Sequence, residues 1–140
     1  MSKLSINGKE YVYDESEIIA FTEGLIGLPQ MRRAALIPLA EFSPFCWLAS
    51  VDDEKWRFIV VNPQEIYKDY SACEPTEMGL AANVNESSLK PLAIVKISSD
   101  WRKTTINLRA PIFIDTETKR GAQLILNNSP YKLAESLPNN

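Results

Sequence analysis

One stretch of alternating side chains, from Thr104 to Leu126, constrains the fold more than any other part of the sequence. Between residues 105 and 115 every even position is apolar, and most odd positions are polar. Because successive side chains of a strand point to opposite faces, this pattern predicts a long strand with one apolar face. The polar run TETKRG then predicts a turn ending at Gly121, after which the alternation resumes. We therefore expect a long hairpin whose apolar side is covered by the other strands.

Single prolines and one asparagine-glycine dipeptide indicate where strands end, bend or turn. Pro111 falls within the long strand, and because proline cannot donate to a ladder we expect it at an edge, a bulge or a bend. Asn7-Gly8 between two strand-like runs predicts a tight hairpin, since both central residues of a type I′ turn need positive φ. The run WRFIVV is expected to end as a strand at Pro63.

The spacing of the remaining runs predicts the fold class. Short strands separated by 5 to 12 residues favour a mainly β, single-domain, antiparallel β-barrel-like fold with one to three short helices. The predicted domain spans residues 1–140, with 134–140 as a flexible C-terminal segment. The candidate helical segments are residues 63–70 and 74–83, each with an early proline, and a tail that starts at Ser129 and Pro130.

Charge and hydropathy narrow the classes of function. The net charge of −3 is uneven, with −6 over residues 1–90 and +3 over residues 91–140. An acidic surface repels phosphate and suits a basic partner, so direct nucleic-acid binding is not expected, although plain solubility explains the charge equally well. No run approaches the ~18 apolar residues of a membrane span, and MSKLSING lacks a signal-peptide core. We expect no membrane association and a cytoplasmic location.

The sequence shows few traces of catalytic chemistry. It has no histidine, no phosphate-binding glycine loop, and only Cys46 and Cys73, which we expect to be reduced thiols. Asp52 and Asp53 could supply carboxylates, but adjacent turn residues diverge and no third oxygen ligand is evident. A serine–lysine pair stays open, because both residue types are plentiful. We expect no enzymatic activity, no metal and no cofactor.

Two features favour binding to another protein. Gly24 and Gly27 bracket apolar residues in the LIGL segment, where a loop should be polar, although such a loop can also fold onto the core. Trp101 lies between strands among charged neighbours, and partly exposed aromatic residues beside arginine are typical of protein contact sites.

Three segments together carry a resemblance to a known family. They are FTEGLIGLP, PFCWLASVDDEKWRFIVVNP and TTINLRAPIFIDTETKRGAQLILNNSPY, and they occur in the family's order within residues 18–131. The last resembles the pattern T-x-N-L-x-A-P-I-x-I-(N/D) followed by G-x-Q-x-I-L. The chain resembles the FliW family of flagellar assembly factors, although its tail, YKLAESL, differs from the family's usual ending.

The resemblance implies a non-enzymatic cytoplasmic protein with two protein partners. One is flagellin, for which the factor acts as a chaperone. The other is CsrA, an RNA-binding translational repressor that the factor antagonises once flagellin has been exported. The matched partner-binding candidates are Glu23, Asp52, Asp53, Asn107 and Arg109. For Asn107, a structural hydrogen bond at the rim of the barrel is an equally good interpretation.

The rival hypothesis is a small-ligand-binding barrel or cryptic enzyme. That function requires a polar pocket inside the closed sheet. An interior filled with apolar side chains would eliminate it.

Overall fold

The computed structural model describes residues 1–70, 89–126 and 131–137. Within these ranges the chain is mainly β, as predicted, and its helical segments are three single 3₁₀ turns, at Glu15–Glu17, Pro63–Glu65 and Trp101–Lys103. The strands are β1 (Ser2–Ile6), β2 (Lys9–Tyr13), β3 (Ile19–Phe21), β4 (Arg33–Pro38), β5 (Cys46–Ser50), β6 (Arg57–Val61), β7 (Leu89–Lys96), β8 (Thr105–Ile106), β9 (Ile112–Asp115), β10 (Arg120–Gln123) and β11 (Glu135–Ser136).

Seven strands close into a ring. Their order is β7-β6-β5-β4-β3-β10-β9, and β9 completes the ring by pairing with β7. β8 and β11 extend from β7 beyond the ring. Among the described strands every pair is antiparallel except β3 with β10, which run parallel. The predicted antiparallel barrel-like fold is therefore confirmed with this one exception.

The middle of the ring is filled with apolar side chains. Gly121 of β10 faces this interior, and a Cβ at that position would lie 2.5 Å from the ring of Phe21. The packing there is thus too tight for any larger residue without adjustment. The buried members of this inner cluster are Ile19, Phe21, Leu25, Met31, Ala34, Leu48, Val60, Leu92, Ile112 and Ile114.

A second apolar cluster lies on the outer face of β6 and β7. It contains Val61, Ala93 and Val95. Side chains from residues 66–70 and 131–137 cover it. Tyr70 and Tyr131 come from those two segments, and their ring centroids are 4.6 Å apart. The sheet is therefore buried on both faces in this region, which explains the continuous apolar run of β7.

The β1–β2 hairpin has the predicted tight turn. Asn7 has φ 52° and Gly8 has φ 80°, both in the left-handed region that a type I′ turn needs. Asn7 also connects the hairpin to the ring, because its Oδ1 accepts a hydrogen bond of 2.7 Å from Nη2 of Arg57.

The long strand predicted over residues 105–115 is wrong in one respect, since a bulge interrupts it. β8 pairs with the end of β7 and β9 with its beginning. Asn107 stands opposite Ile94 and Ile112 opposite Leu92, so residues 108–111 occupy a place where a regular ladder has one residue. Pro111 lies in this bulge, as its lack of an N–H predicted. The even positions remain buried on both sides of the bulge.

The predicted helix over residues 63–70 is also wrong in its length. Pro63 does occupy the first helical position, and Oδ1 of Asn62 caps the turn by accepting from the Gln64 N–H at 3.0 Å. The helical turn ends after Glu65 because Ile66 and Tyr67 pack against the outer cluster. The candidate helix over 74–83 lies outside the described residues, and so does the predicted beginning of the tail helix at Ser129 and Pro130.

Candidate functional site

The strand register defines two ends of the ring. At one end lie the β3–β4 loop (residues 22–32), the β5–β6 turn (51–56), the β7–β8 connection (97–104) and the bulge (107–111). We call this the Asp52 end. At the other end, the Lys90 end, lie the β4–β5 loop (39–45) and the β9–β10 turn (116–119). All five partner-binding residues predicted from the sequence fall at the Asp52 end, although they are far apart in the chain.

Asp52 does not present a free carboxylate. Its Oδ1 lies 2.5 Å from Nη2 of Arg33, and its Oδ2 lies 3.3 Å from the Nε of the same side chain. This hydrogen bonding lowers the pKa of Asp52 below its usual value and raises the pKa of Arg33. Arg33 could not be predicted as a partner of Asp52 from the sequence, because the pair forms only once β4 and β5 are aligned, with Ala34 opposite Ser50.

The acidic turn itself is held by short local hydrogen bonds. Oγ of Ser50 accepts from the backbone N–H groups of Asp52 and Asp53, both at 3.1 Å. Oδ1 of Asp53 accepts from the Lys55 N–H at 3.0 Å. Asp53 thus shapes the turn and is half-buried. The turn itself lies at the surface.

The β3–β4 loop divides its apolar residues between the core and the surface. Leu25 is buried at 4% exposure, whereas Ile26 at the tip is 52% exposed. Gly24 has φ 70°, and a Cβ there would collide with the backbone of Pro29, so only glycine fits. Glu23 is exposed and makes no hydrogen bond or ion pair with another residue in the described part of the chain.

Gln123 connects the β3–β4 loop to the bulge. Its Oε1 accepts from the Ile26 N–H at 2.9 Å, and its Nε2 donates to the carbonyl of Ala110 at 3.1 Å. Gln123 was not among the residues predicted from the sequence, although it is the glutamine of the matched G-x-Q pattern. One side chain therefore fixes the relative positions of two surface elements.

Asn107 organises the bulge from within. Its Oδ1 accepts from the backbone N–H groups of Arg109 and Ala110, at 3.1 and 3.0 Å. This arrangement is an Asx-type turn, which supports the structural interpretation of Asn107. Arg109 lies half-buried in the same bulge.

The β7–β8 connection presents an aromatic and basic tip. Trp101 is 61% exposed, as its charged neighbours suggested, and Ile97 is also exposed. Asp100 orders this segment, because its Oδ1 accepts from the Arg102 N–H at 3.1 Å. Lys103 adds a further exposed cation. The tip thus adds apolar area and positive charge to the Asp52 end.

The described residues offer little material for catalysis. They contain no group of three His, Cys, Asp or Glu side chains that could hold a metal ion. Cys46 is a free thiol whose pKa is raised by burial, and Cys73 lies outside the described ranges. No helix in those ranges has the length and hydropathy needed to cross a membrane.

The fold and this site define a small barrel-like β protein that presents loops and turns at one end of a filled ring. Residues 7–137 match the family described as FliW protein. The chain belongs to the FliW family.

Relatives and a solved structure agree with this assignment. The chain is 32% identical over 135 residues to the flagellar assembly factor FliW of Clostridium beijerinckii, with 91% of this chain and 92% of that protein covered. It is 36% identical over 126 residues to FliW of Clostridium botulinum strain Alaska E43, covering 89% of each. A crystal structure of the flagellar assembly factor FliW superimposes with a TM-score of 0.86 over 99% of both chains at 24% identity, which shows that the fold is shared.

Proposed function

We propose that this chain is a cytoplasmic, non-enzymatic assembly factor that binds flagellin and antagonises a CsrA-type RNA-binding repressor. Membership of a family of flagellar assembly factors supports the general role. In this proposal the protein itself binds neither RNA nor a membrane. It acts by presenting a surface to other polypeptides.

The observation that carries the proposal is that all the predicted residues lie at the Asp52 end of the ring. The register brings Glu23, the acidic turn and the bulge to one end of the ring, together with exposed Ile26 and Trp101. Exposed aromatic and aliphatic side chains surrounded by charges are the composition of protein interfaces. The same end combines carboxylates for a basic partner with a basic tip for an acidic one.

The filled ring supports this function over the rival small-ligand barrel. Leu48, Val60 and Ile112 have no exposed surface, and they occupy the middle of the ring. A polar pocket in the middle of the ring, which the rival requires, has no room among these described side chains.

Competition between the two partners would couple flagellin synthesis to export. If flagellin and CsrA exclude one another at the Asp52 end, the free fraction of this protein falls as cytoplasmic flagellin rises. Export of flagellin then releases the protein to bind CsrA, and repression is relieved. This requires only mass action and no chemical step.

A competition experiment tests the proposal. The purified chain is immobilised, loaded with CsrA from the same organism, and washed with increasing flagellin. We expect both proteins to bind and flagellin to displace CsrA, with both associations weakened by added salt. If neither protein binds, the proposal fails; if both bind at the same time, the mutual exclusion is wrong while the two partners stand.

A further inference from the structure

The Lys90 end of the ring holds a pocket that the proposed partner surface does not use. It has a volume of about 310 Å³, at the lower limit of the ~300–1,000 Å³ usual for small-molecule sites. Its floor is aliphatic and consists of Ile19, Leu36, Leu92 and Ile114. Charged side chains surround its opening.

The strand register shows that this pocket is the open end of the ring's interior. Directly paired antiparallel residues share a face, and Leu36 pairs with Leu48 while Lys90 pairs with Ile114. Leu48 and Ile114 belong to the inner cluster, so Leu36 and Lys90 also face inward. Leu36 is nevertheless 38% exposed, whereas Leu48 is fully buried. The interior is therefore filled in the middle and open at this end.

Of the two lysines at the opening, one has a counter-charge among the described residues and the other has none there. Nζ of Lys119 lies 2.8 Å from a carboxylate oxygen of Glu17, so these two charges compensate each other. Lys90 makes no ion pair or side-chain hydrogen bond with any residue of the described ranges. A lysine that lines an aliphatic pocket is complementary to an anion with an apolar chain.

We propose that this pocket binds a small aliphatic carboxylate, with its chain on the floor and its carboxylate at Lys90. The chain would cover the exposed part of Leu36, and the carboxylate would pair with the ammonium group of Lys90. A free short-chain acid and the C-terminal residue of a peptide share this chemistry. The site lies at the opposite end from the proposed partner surface, so its failure and the failure of partner binding are separate results.

Nuclear magnetic resonance titration of the full ¹⁵N-labelled chain tests the site. We expect hexanoate to shift the Leu36, Lys90 and Ile114 amides saturably, with a Kd on the order of 1 mM. Hexan-1-ol, which has the same chain without the charge, should bind about tenfold more weakly. Equal binding of the two would overturn the role of Lys90, and no saturable shift with hexanoate would overturn the site.

Two further probes distinguish the sources of the carboxylate. N-acetyl-leucine represents a peptide C-terminus, and N-acetyl-leucinamide is the same molecule without the carboxylate. Tighter binding of N-acetyl-leucine than of hexanoate identifies a peptide terminus as the ligand, and the reverse order identifies a free acid. Binding of the amide as tight as that of N-acetyl-leucine would contradict the proposal.

Matched variants locate the binding. Lys90→Gln should weaken hexanoate binding about five- to tenfold, because the ammonium group is lost. Lys55→Gln removes an exposed lysine at the Asp52 end and should leave the affinity unchanged. Leu36→Ser should also weaken binding by reducing the apolar floor. Thermal unfolding checks that each variant is folded, and an unchanged affinity in folded Lys90→Gln would overturn the assignment.

Discussion

Arg33 on β4 holds both carboxylate oxygens of Asp52 in the β5–β6 turn, at 2.5 and 3.3 Å. The pair is exposed to solvent, so it contributes little to stability. Its main effect is to compensate the charge of the turn that the sequence marked as acidic. A basic partner at this end must therefore either compete with Arg33 or contact both members of the pair.

The first prediction concerns Arg33. Arg33→Gln leaves Asp52 without its counter-charge, so a basic partner such as CsrA should bind more tightly, on the order of threefold at low salt. Calorimetric titration measures this affinity. The matched control is Arg120→Gln, which removes an exposed arginine on β10 and should leave the affinity unchanged. Weaker binding of CsrA to Arg33→Gln would show that Arg33 itself contacts the partner.

The second prediction concerns pH. The pKa of Asp52 in the folded protein lies below its usual value of 3.8, because Arg33 stabilises the charged form. The folded state then binds the proton less tightly than the unfolded state does, so protonation favours unfolding. The stability contributed by Asp52 should be fully present above the usual pKa and lost as the pH falls through the lowered one.

Comparison with Asp52→Asn isolates this effect. The free energies of unfolding of the original chain and of Asp52→Asn, measured by urea denaturation, should differ by a constant amount above about pH 5 and converge toward pH 2. In the Arg33→Gln background the pH dependence of this difference should shrink. A difference that grows as the pH falls would contradict the assigned direction.

The third prediction concerns Asn107. Asn107→Ala removes the acceptor for two backbone N–H groups of the bulge, which should lower the free energy of unfolding by about 1–3 kcal/mol. Asn107→Asp keeps an oxygen at the same place and should retain most of the stability. Urea denaturation compares the two variants. Equal stability of Asn107→Ala and the original chain would reject the structural role.

The fourth prediction concerns Gly121. Gly121→Ala places a Cβ against the ring of Phe21 and should cost about 1–3 kcal/mol through overpacking. Shortening the opposing residue in a Phe21→Leu background should reduce the additional cost of the alanine. A double-mutant cycle in urea measures this coupling. Strictly additive effects would show that the two positions do not oppose one another.

The features that depend on local sequence pattern, such as strand periodicity and tight turns, could be predicted from the sequence. The even positions from Ile106 to Ile114 are buried because the two-residue period is a property of any strand, but Ile106 and Leu108 lie in the outer cluster and Ile112 and Ile114 in the inner one. Asn7-Gly8 forms a tight turn because both residues tolerate positive φ. The resemblance to the FliW family correctly indicated the family and the barrel-like fold.

What depends on long-range alignment could not be read from the chain. The bulge at Asn107 exists because β8 and β9 pair with β7 in two registers. The contact of Gln123 with Ile26 and the pairing of Arg33 with Asp52 likewise require strands to be placed beside one another. The helix expected after Pro63 ends early because tertiary packing of Ile66 and Tyr67 overrides local propensity.

The most direct test of the account is the affinity of CsrA for the charge-reversed double variant Asp52→Lys, Asp53→Lys. Its matched control is Glu41→Lys, Glu117→Lys, which reverses two exposed carboxylates at the Lys90 end and changes the net charge equally. If partners bind the Asp52 end, the first variant should lose at least tenfold in affinity while remaining folded, and the control should lose about threefold or less. Equal losses in the two variants, or no loss in the first, would contradict partner binding at the Asp52 end.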